Sequence, residues 1–482
     1  MGPRAADSRP YRVFLQQRSQ EPWLFKGEAA VNTQKFFIEH ALYPAMEHLK
    51  GNHIRSYFRE LCESARLTPQ GLRDLQRERL GKLLTACVAS VPAYQGLGIT
   101  QAAIDQDPFA VLAGIPLLSK REFQKDPERY VNQDFDPALR IVNRTGGSTG
   151  EPLKFYMDRF DVEHYEAARW RGLSWWGITF GSRSVMIWGN PIELSQKDQR
   201  QAKFKDQVLK NRTILSAYDL TSEKMDEYIA FLNRYQPEYL YGYATALYTF
   251  ASLVLPRREQ LHLKHLKAVV STSETLHDYQ RKAIEEAFSC PVVNEYGARD
   301  AGILAYQCPC GQMHITAENV ILEVLNPETL EPAKPGESGL VVTTDLNNFA
   351  MPRLRYLLGD TATLGETRTC PQGISLPVIA HLDGREDAIF KLPDGKLVHG
   401  NFINQLSRKY QTLAQFQLVQ HDPTHADLKV VLKEGAGHQE LEPFTKDVAS
   451  FLPGVTVAPT VVDAIPVSAS GKFRYSIREF PL

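Results

Sequence analysis

Cysteine is scarce in this chain. Six residues among 482 are too few, and too unevenly placed, for a disulfide scaffold. An excess of either charge is missing too: 55 Lys and Arg stand against 56 Asp and Glu, which leaves neither a basic face for nucleic acid nor a solvating acidic tail. No stretch approaches the ~18 apolar residues of a membrane span. The opening MGPRAADSRPYRVF has arginine but no apolar run behind it. The 29 prolines and 31 glycines are scattered, so no repeat or low-complexity tract stands out. These absences predict a folded cytoplasmic protein with no nucleic-acid partner and no membrane span. At 482 residues and 43% hydrophobic content, two or three domains are expected.

Apolar residues at helical spacing run from about Gln34 to Leu97, with Thr68 an N-cap ahead of Pro69. Further on, short β-rich runs (ALRIVNRT, SVMIWGNP, PEYLYGY, LKAVVSTSE, PVVNEYG) alternate with helical stretches such as SEKMDEYIAFLNRY and LHDYQRKAIEEAFS. That alternation predicts an α/β fold whose parallel sheets are covered by helices, with ligands held beyond the carboxyl ends of the strands. The runs VILEVLN and SGLVVTTDL predict a small antiparallel β element. A hairpin is expected around Pro393, Asp394 and Gly395, and the last hundred or so residues read as a small α/β domain.

The stretch NRTGGSTGEPLKF, residues 143–155, concentrates glycine and hydroxyl residues. Gly146, Gly147 and Gly150 let the backbone approach a ligand, while Thr145, Ser148 and Thr149 add hydroxyl donors beside exposed N–H groups. A Ser/Gly turn and a polyphosphate cradle both satisfy this string. Lys154 stands close enough in sequence to reach back toward a phosphate. No Gly-Lys-Ser/Thr closes the loop, which excludes a Walker motif.

Further stretches follow in order: STSET (271–275), NEYGARDAG (294–302), RYLLGDTA (355–362), DGRED (383–387) and PVSASGKFR (466–474). Together they resemble the adenylate-forming superfamily of acyl-CoA synthetases, peptide-synthetase adenylation domains and luciferases. Within it the chain looks most like the phenylacetate-CoA ligase branch, and especially its capsular-polysaccharide-biosynthesis-type homologues. The resemblance covers roughly Leu67 to the C-terminus. It implies an ATP-dependent, AMP-forming ligase that activates a carboxylic acid as an acyl adenylate and passes it to coenzyme A, a carrier protein or an amine.

The same resemblance divides the chain into a large N-terminal adenylation domain, residues 1–383, helical to about residue 130, and a small mobile C-terminal α/β lid, residues 384–482. It assigns Thr145 to Gly150 to the β and γ phosphates of ATP and Tyr296 to adenine, with Ser273, Glu274 and Gly297 shaping that pocket. Asp360 would accept from the ribose hydroxyls, and Arg385 would grip the same ribose. Lys472 would bring a mobile cation to the α-phosphate and the carboxylate, with Asp387 as the hinge. Read alone, SASGKFR is equally a surface turn.

One departure is Tyr296-Gly297-Ala298-Arg299-Asp300, where the superfamily has Tyr-Gly-x-Thr-Glu. The magnesium carboxylate is then Asp300, one methylene shorter. Arg299 either adds positive charge near the phosphates or pairs with an acid.

Cys308, Cys310 and Cys370 lie in Pro/Gly-rich turns, and QCPCGQMHI adds His314. These four soft ligands suit a closed structural zinc site; unmetallated thiols are the other reading. The acid pocket is expected to draw on Trp188, Tyr241, Tyr243 and Tyr248, which are equally ordinary core aromatics. Two rival functions share the scaffold: adenylation of a non-carboxylate nucleophile, and a non-catalytic nucleotide-binding scaffold in polysaccharide biosynthesis. A zinc module that binds partners through the 308–314 turn is a third.

Overall fold

The computed structural model describes residues 33–144, 153–188, 211–217, 220, 222–334, 336–366, 370–385, 388–400, 402–433, 435–466 and 474–480. Short helices span Thr33–Phe37 and Tyr43–Lys50; the longer α1 (Ile54–Ser64) and α2 (Pro69–Ser90) follow, and after further short helices between residues 92 and 125 come the hairpin β1 (Ile141–Arg144) and β2 (Lys154–Met157) and helix α3 (Arg159–Ser174). Thr68 caps α2 as expected: its hydroxyl accepts from the Gly71 N–H at 3.1 Å, and Pro69 fills the first helical position, where no N–H is missed.

The strands and helices then alternate: β3 (Ser184–Trp188), β4 (Arg212–Ser216), α4 (Met225–Tyr235), β5 (Tyr239–Tyr243), α5 (Ala244–Val254), β6 (Ala268–Thr272), α6 (Asp278–Phe288) and β7 (Val292–Ala298). β4, β3, β5, β6 and β7 are neighbours in that order and all parallel. Every residue of β5 and β6 is buried, because helices and further chain cover both faces. That two-sided burial is why their sequences read as unbroken apolar and aromatic runs.

After β7 the chain reverses direction strand by strand. β8 (Gly302–Gln307), β9 (Met313–Ile315), β10 (Val320–Leu325), β11 (Ser338–Asp345), β12 (Tyr356–Leu364) and β13 (Val378–Arg385) pair antiparallel. The antiparallel strands expected as a subsidiary element are thus the continuation of the parallel ones, in a single sheet of 11 strands ordered β10-β11-β12-β13-β9-β8-β7-β6-β5-β3-β4.

A separate hydrophobic cluster begins at Phe390 and includes Phe416, Leu428, Val430 and Phe444. It is built by the hairpin β14 (Ile389–Lys391) and β15 (Leu397–His399), which turns through Pro393-Asp394-Gly395. The rest comes from β16 (Leu413–Asp422), β17 (His425–Leu432), helix α7 (Leu441–Ser450), β18 (Thr456–Val461) and β19 (Ser476–Arg478). β18, β17, β16 and β19 form its four-stranded sheet.

Helix α3 lies directly on β8, and the approach is set by a glycine. A Cβ at Gly172 would stand 2.2 Å from the Tyr306 ring, which is itself buried. Gly172→Ala should therefore cost about 1–3 kcal/mol of overpacking. Chemical denaturation measures it; an alanine variant as stable as the parent would mean that the ring yields without strain. No helix among the described residues is long and apolar enough to cross a membrane.

Candidate active site

A cavity of about 570 Å³ opens beyond the carboxyl ends of β3, β5, β6 and β7, and is closed by β12, β13 and residues 474–476. Of the sequence-predicted residues, Trp188, Tyr241, Tyr243, Ser273, Glu274, Tyr296, Gly297, Asp300, Asp360 and Arg385 line it. Thr145, Gly146, Gly147, Ser148, Thr149, Gly150, Asp387 and Lys472 lie outside the described residues.

Asp360 organises one side. Its Oδ2 accepts from the Tyr296 phenol at 2.9 Å and its Oδ1 from Arg385 Nη1 at 2.7 Å. Register places Asp360 of β12 directly opposite Arg385 of β13. Gly359 makes room for the pairing: it has φ 78°, and a Cβ there would come within 3.0 Å of Arg385 Nη2. A carboxylate with two such partners keeps lone pairs on both oxygens, so it can still accept from vicinal hydroxyls. The Tyr296 phenol is held well above its ordinary pKa, first by burial and then by the neighbouring Asp360 charge, so it stays a hydrogen-bond donor.

Local backbone geometry aims the remaining groups. Just past the end of β6 stands Ser273, a non-glycine residue at φ 67°, the strained left-handed region. This turn sends Glu274 to the start of α5, where its Oε2 accepts from the Thr245 N–H at 2.8 Å. A bulge between Tyr296 and Gly297 turns β7 outward at the cavity. Asp300 follows, with its Oδ2 accepting from the Tyr356 phenol at 3.1 Å and its backbone carbonyl from Arg353 Nη2 at 2.7 Å. Arg299 is exposed and donates to the Arg144 carbonyl at 3.0 Å, so it pairs with backbone rather than with an acid at that atom.

Trp188, Tyr241 and Tyr243 form an aromatic wall of the cavity. Trp188 lies 4.0 Å from Tyr243 and 6.0 Å from Tyr241, centroid to centroid, with planes 30° and 26° apart. Tyr248 is not part of it: on the α5 helix its side chain turns to α6 and meets Tyr279 edge-on at 5.3 Å. Lys154 also falls outside the lining; it is exposed on β2, with its Nζ 5.4 Å from the Tyr156 ring centroid.

Sequence reasoning missed the charged part of this cavity. Arg169 of α3 and Glu295 of β7 both line it, 3.5 Å apart. The available signals were a glutamate closing the apolar run PVVNEYG and an arginine on a helix buried on several sides. Also missed was Tyr475, whose hydroxyl meets that of Tyr279 at 3.2 Å and whose ring meets His277 at 5.9 Å.

The cysteine cluster forms where β13, β9 and β8 are neighbours. The three sulfurs of Cys308, Cys310 and Cys370 are 2.9, 3.4 and 3.7 Å apart, and they and a His314 ring nitrogen all lie within 4.8 Å of one another. Gly311, at φ 90°, closes the tight turn between the paired cysteines and β9. His314 is fully buried. Its Nδ1 meets the Leu376 carbonyl at 3.2 Å, which places the proton there and leaves the lone pair on Nε2, an atom with no hydrogen-bond partner. The Cys370 thiol is held far below its usual range, by hydrogen bonds from Cys308 and then Cys310. A buried imidazole with a directed lone pair, beside three sulfurs, is a donor set that fits a tetrahedral cation. Metal–sulfur bonds of about 2.3 Å put ligand sulfurs about 3.8 Å apart, close to the widest pair here.

A doubly oriented sheet bearing this cavity, followed by a separate four-stranded body, is the fold of solved acyl-CoA ligases. The structure of 2-hydroxyisobutyryl-CoA ligase in its postadenylation state matches 84% of this chain and 89% of that one, at a TM-score of 0.64 and 18% identity. In sequence the chain is similar to Protein CapK of Staphylococcus aureus, 24% identical over 385 residues that make up 79% of this chain and 82% of that protein. It is also similar to the phenylacetate-coenzyme A ligase of Thermus thermophilus, 24% identical over 315 residues, 63% of this chain and 68% of that enzyme. A family model described as the CapK C-terminal domain matches residues 390–479.

Proposed function

We propose that the protein is an ATP-dependent, AMP-forming acid–thiol ligase. The carrying observation is the convergence of Tyr296, Asp360 and Arg385, from three separate motifs, through hydrogen bonds of 2.9 and 2.7 Å at the edge of an aromatic cavity. In this reading Asp360 and Arg385 hold the ribose, and Tyr296 lies against adenine with Ser273, Glu274 and Gly297 around it. Thr145 to Gly150 cradle the β and γ phosphates, with Lys154 near the end of that loop. A carboxylate oxygen of the acid attacks the α-phosphorus, the bond to pyrophosphate breaks, and a thiol then takes the acyl group and releases AMP.

Lys472 meets the charge that accumulates at the α-phosphate, with Asp387 as the pivot of a C-terminal lid covering residues 384–482. Asp300 suits magnesium, which would neutralise phosphate charge when bound. Relatives named as coenzyme A ligases support coenzyme A as the acceptor.

Cys308, Cys310, His314 and Cys370 hold zinc in this proposal, as a closed structural site that ties β8, β9 and the approach to β13 together. The purified protein should contain about one zinc per chain, and a strong chelator should lower its thermal midpoint by several degrees. Metal analysis that finds no zinc, together with a chelator-insensitive midpoint, rejects the site.

The test of the activity is ATP–pyrophosphate exchange against aryl, heteroaryl, amino and fatty acids, with and without coenzyme A. Acid-dependent exchange followed by consumption of free thiol is expected. Exchange without thiol consumption points to a carrier protein or an amine as acceptor. No exchange with any acid, in a protein that still binds ATP, rejects the proposal.

A further inference from the structure

The segment between β11 and β12 packs against β2, the strand that follows the glycine-rich stretch 145–150. Asn348 Nδ2 donates to the Tyr156 carbonyl at 3.1 Å, and the Tyr156 N–H meets Met351 Sδ at 3.3 Å. Asp158, at the junction of β2 and α3, closes this brace: its Oδ1 accepts from the Asp161 N–H at 2.8 Å and its Oδ2 from the Phe349 N–H at 2.7 Å. The same segment carries Arg353, whose guanidinium carbon lies 4.9 Å from the Phe155 ring centroid and whose Nη2 holds the Asp300 carbonyl at 2.7 Å. The brace therefore touches both β2 and the turn that carries Asp300.

Two carboxyl groups meet inside it. Asp161, in the first turn of α3, and Asp345, the last residue of β11, are 3% and 7% exposed and lie within hydrogen-bond reach of each other. Asp345 Oδ1 accepts from the Asn347 N–H at 2.9 Å, but Asp161 Oδ2 is buried with no hydrogen-bond donor among the described residues. Two buried carboxylates in contact cannot both keep their charge, and what satisfies the stranded oxygen is a proton. Asp158 and Arg353 are the other charged groups that face the pair. Asp158 already has a backbone N–H on each oxygen, so the unmet need lies with Asp161 and Asp345.

We infer that Asp161 and Asp345 share one proton, and that this contact positions β2 and, through Arg353, the Asp300 turn. Both are then positioning residues for the nucleotide site, a role that rests on the adenylation reading above. Burial before all else raises the two carboxyls, Asp345 to about 6. Since an unfolded aspartate titrates near ~3.9, the stability this proton confers is full below about pH 4 and is lost as pH rises through about 6. Its loss sets two like charges against each other between α3 and β11.

The experiment follows the thermal midpoint, and ATP affinity by calorimetry, from pH 5 to 8 in the wild-type protein, Asp161→Asn and Asp345→Asn. Either amide replaces the shared proton with a permanent N–H donor. The wild-type midpoint should fall by several degrees relative to the Asn variants as pH rises. Its ATP affinity should fall relative to theirs by about 5-fold or more, the lower end of the usual coupling between two sites. Midpoints that diverge while ATP affinities do not overturn the positioning role. Parallel midpoint profiles in all three proteins overturn the shared proton. A rise of the wild-type midpoint at pH 8 on adding calcium, absent from Asp161→Asn, also overturns it, in favour of a cation held between the carboxylates. ATP binding absent from every protein at every pH overturns the adenylation reading and with it the positioning role, while the midpoints still decide the proton. The two variants place the amide on opposite sides of the contact, so one that folds is sufficient for the comparison.

Discussion

Replacing Lys472 with alanine should leave ATP bound and yet lower acid-dependent pyrophosphate exchange by at least about 10²–10³-fold, the usual loss when a group aimed at transition-state charge is removed. Adenylation brings two anions together at the α-phosphorus, and a cation on a flexible stem is the side chain suited to a charge that matters in one step only. Arg474, Tyr475 and Ser476, which follow Lys472 closely in sequence, line the cavity. The ribose and adenine contacts proposed for Asp360, Arg385 and Tyr296 come from other strands, which is why nucleotide affinity should survive. Calorimetric titration with ATP, alongside the exchange assay, separates the two quantities. Undiminished exchange in Lys472→Ala would remove this residue from the chemistry.

Glu318→Ala should destabilise the protein by about 3–5 kcal/mol. Glu318 is 0% exposed and its partner Arg171 of α3 is 1% exposed, with Nη1 and Oε1 2.5 Å apart. Ser64, the last residue of α1, donates to the same oxygen at 2.9 Å, and Arg171 Nη1 also meets the Leu61 carbonyl at 3.2 Å. Arg79 of α2 adds a bond to the Glu318 carbonyl at 3.0 Å. Glu318 therefore pins α1 and α3 through its carboxylate, and α2 through its backbone carbonyl, to the segment ahead of β10. Its loss would strand a guanidinium in the core, whereas an Arg171→Met, Glu318→Leu double variant should recover most of the stability because no charge is left unpaired. Urea denaturation of the two variants tests both statements. A single variant within 1 kcal/mol of the parent would contradict the first.

Much of this architecture was legible in the sequence for specific physical reasons. Thr68-Pro69 reads as a helix start because both residues solve the problem of unpaired N–H groups. The strands around Tyr241, Val270 and Val293 read correctly because burial on both faces leaves little room for polar residues. The convergence of Tyr296, Asp360 and Arg385 was implied by motif order, although the sequence did not reveal that the antiparallel strands carrying the latter two extend the parallel sheet.

Charges on α3 were harder. Arg169 and Arg171 look like a solvated helix face, and only long-range partners, Glu295 and Glu318, make them interior. Tyr248 misled for a related reason: the aromatic run YLYGYATALY spans a strand and a helix, and after Tyr243 the change of period carries the side chain away from the cavity.

The tyrosine pair between Tyr279 and Tyr475 makes the molecule its own position gauge. Tyr475 packs on Phe416 of the C-terminal cluster while its hydroxyl touches the larger sheet's helix α6, so one phenol is shared by both bodies. Any departure of the C-terminal body from this arrangement must break that phenol contact and rehydrate the ring. Tyrosine absorbance near the cavity then becomes an optical clock for domain motion, readable in a stopped-flow instrument without a label, with Tyr279→Phe as the silent reference.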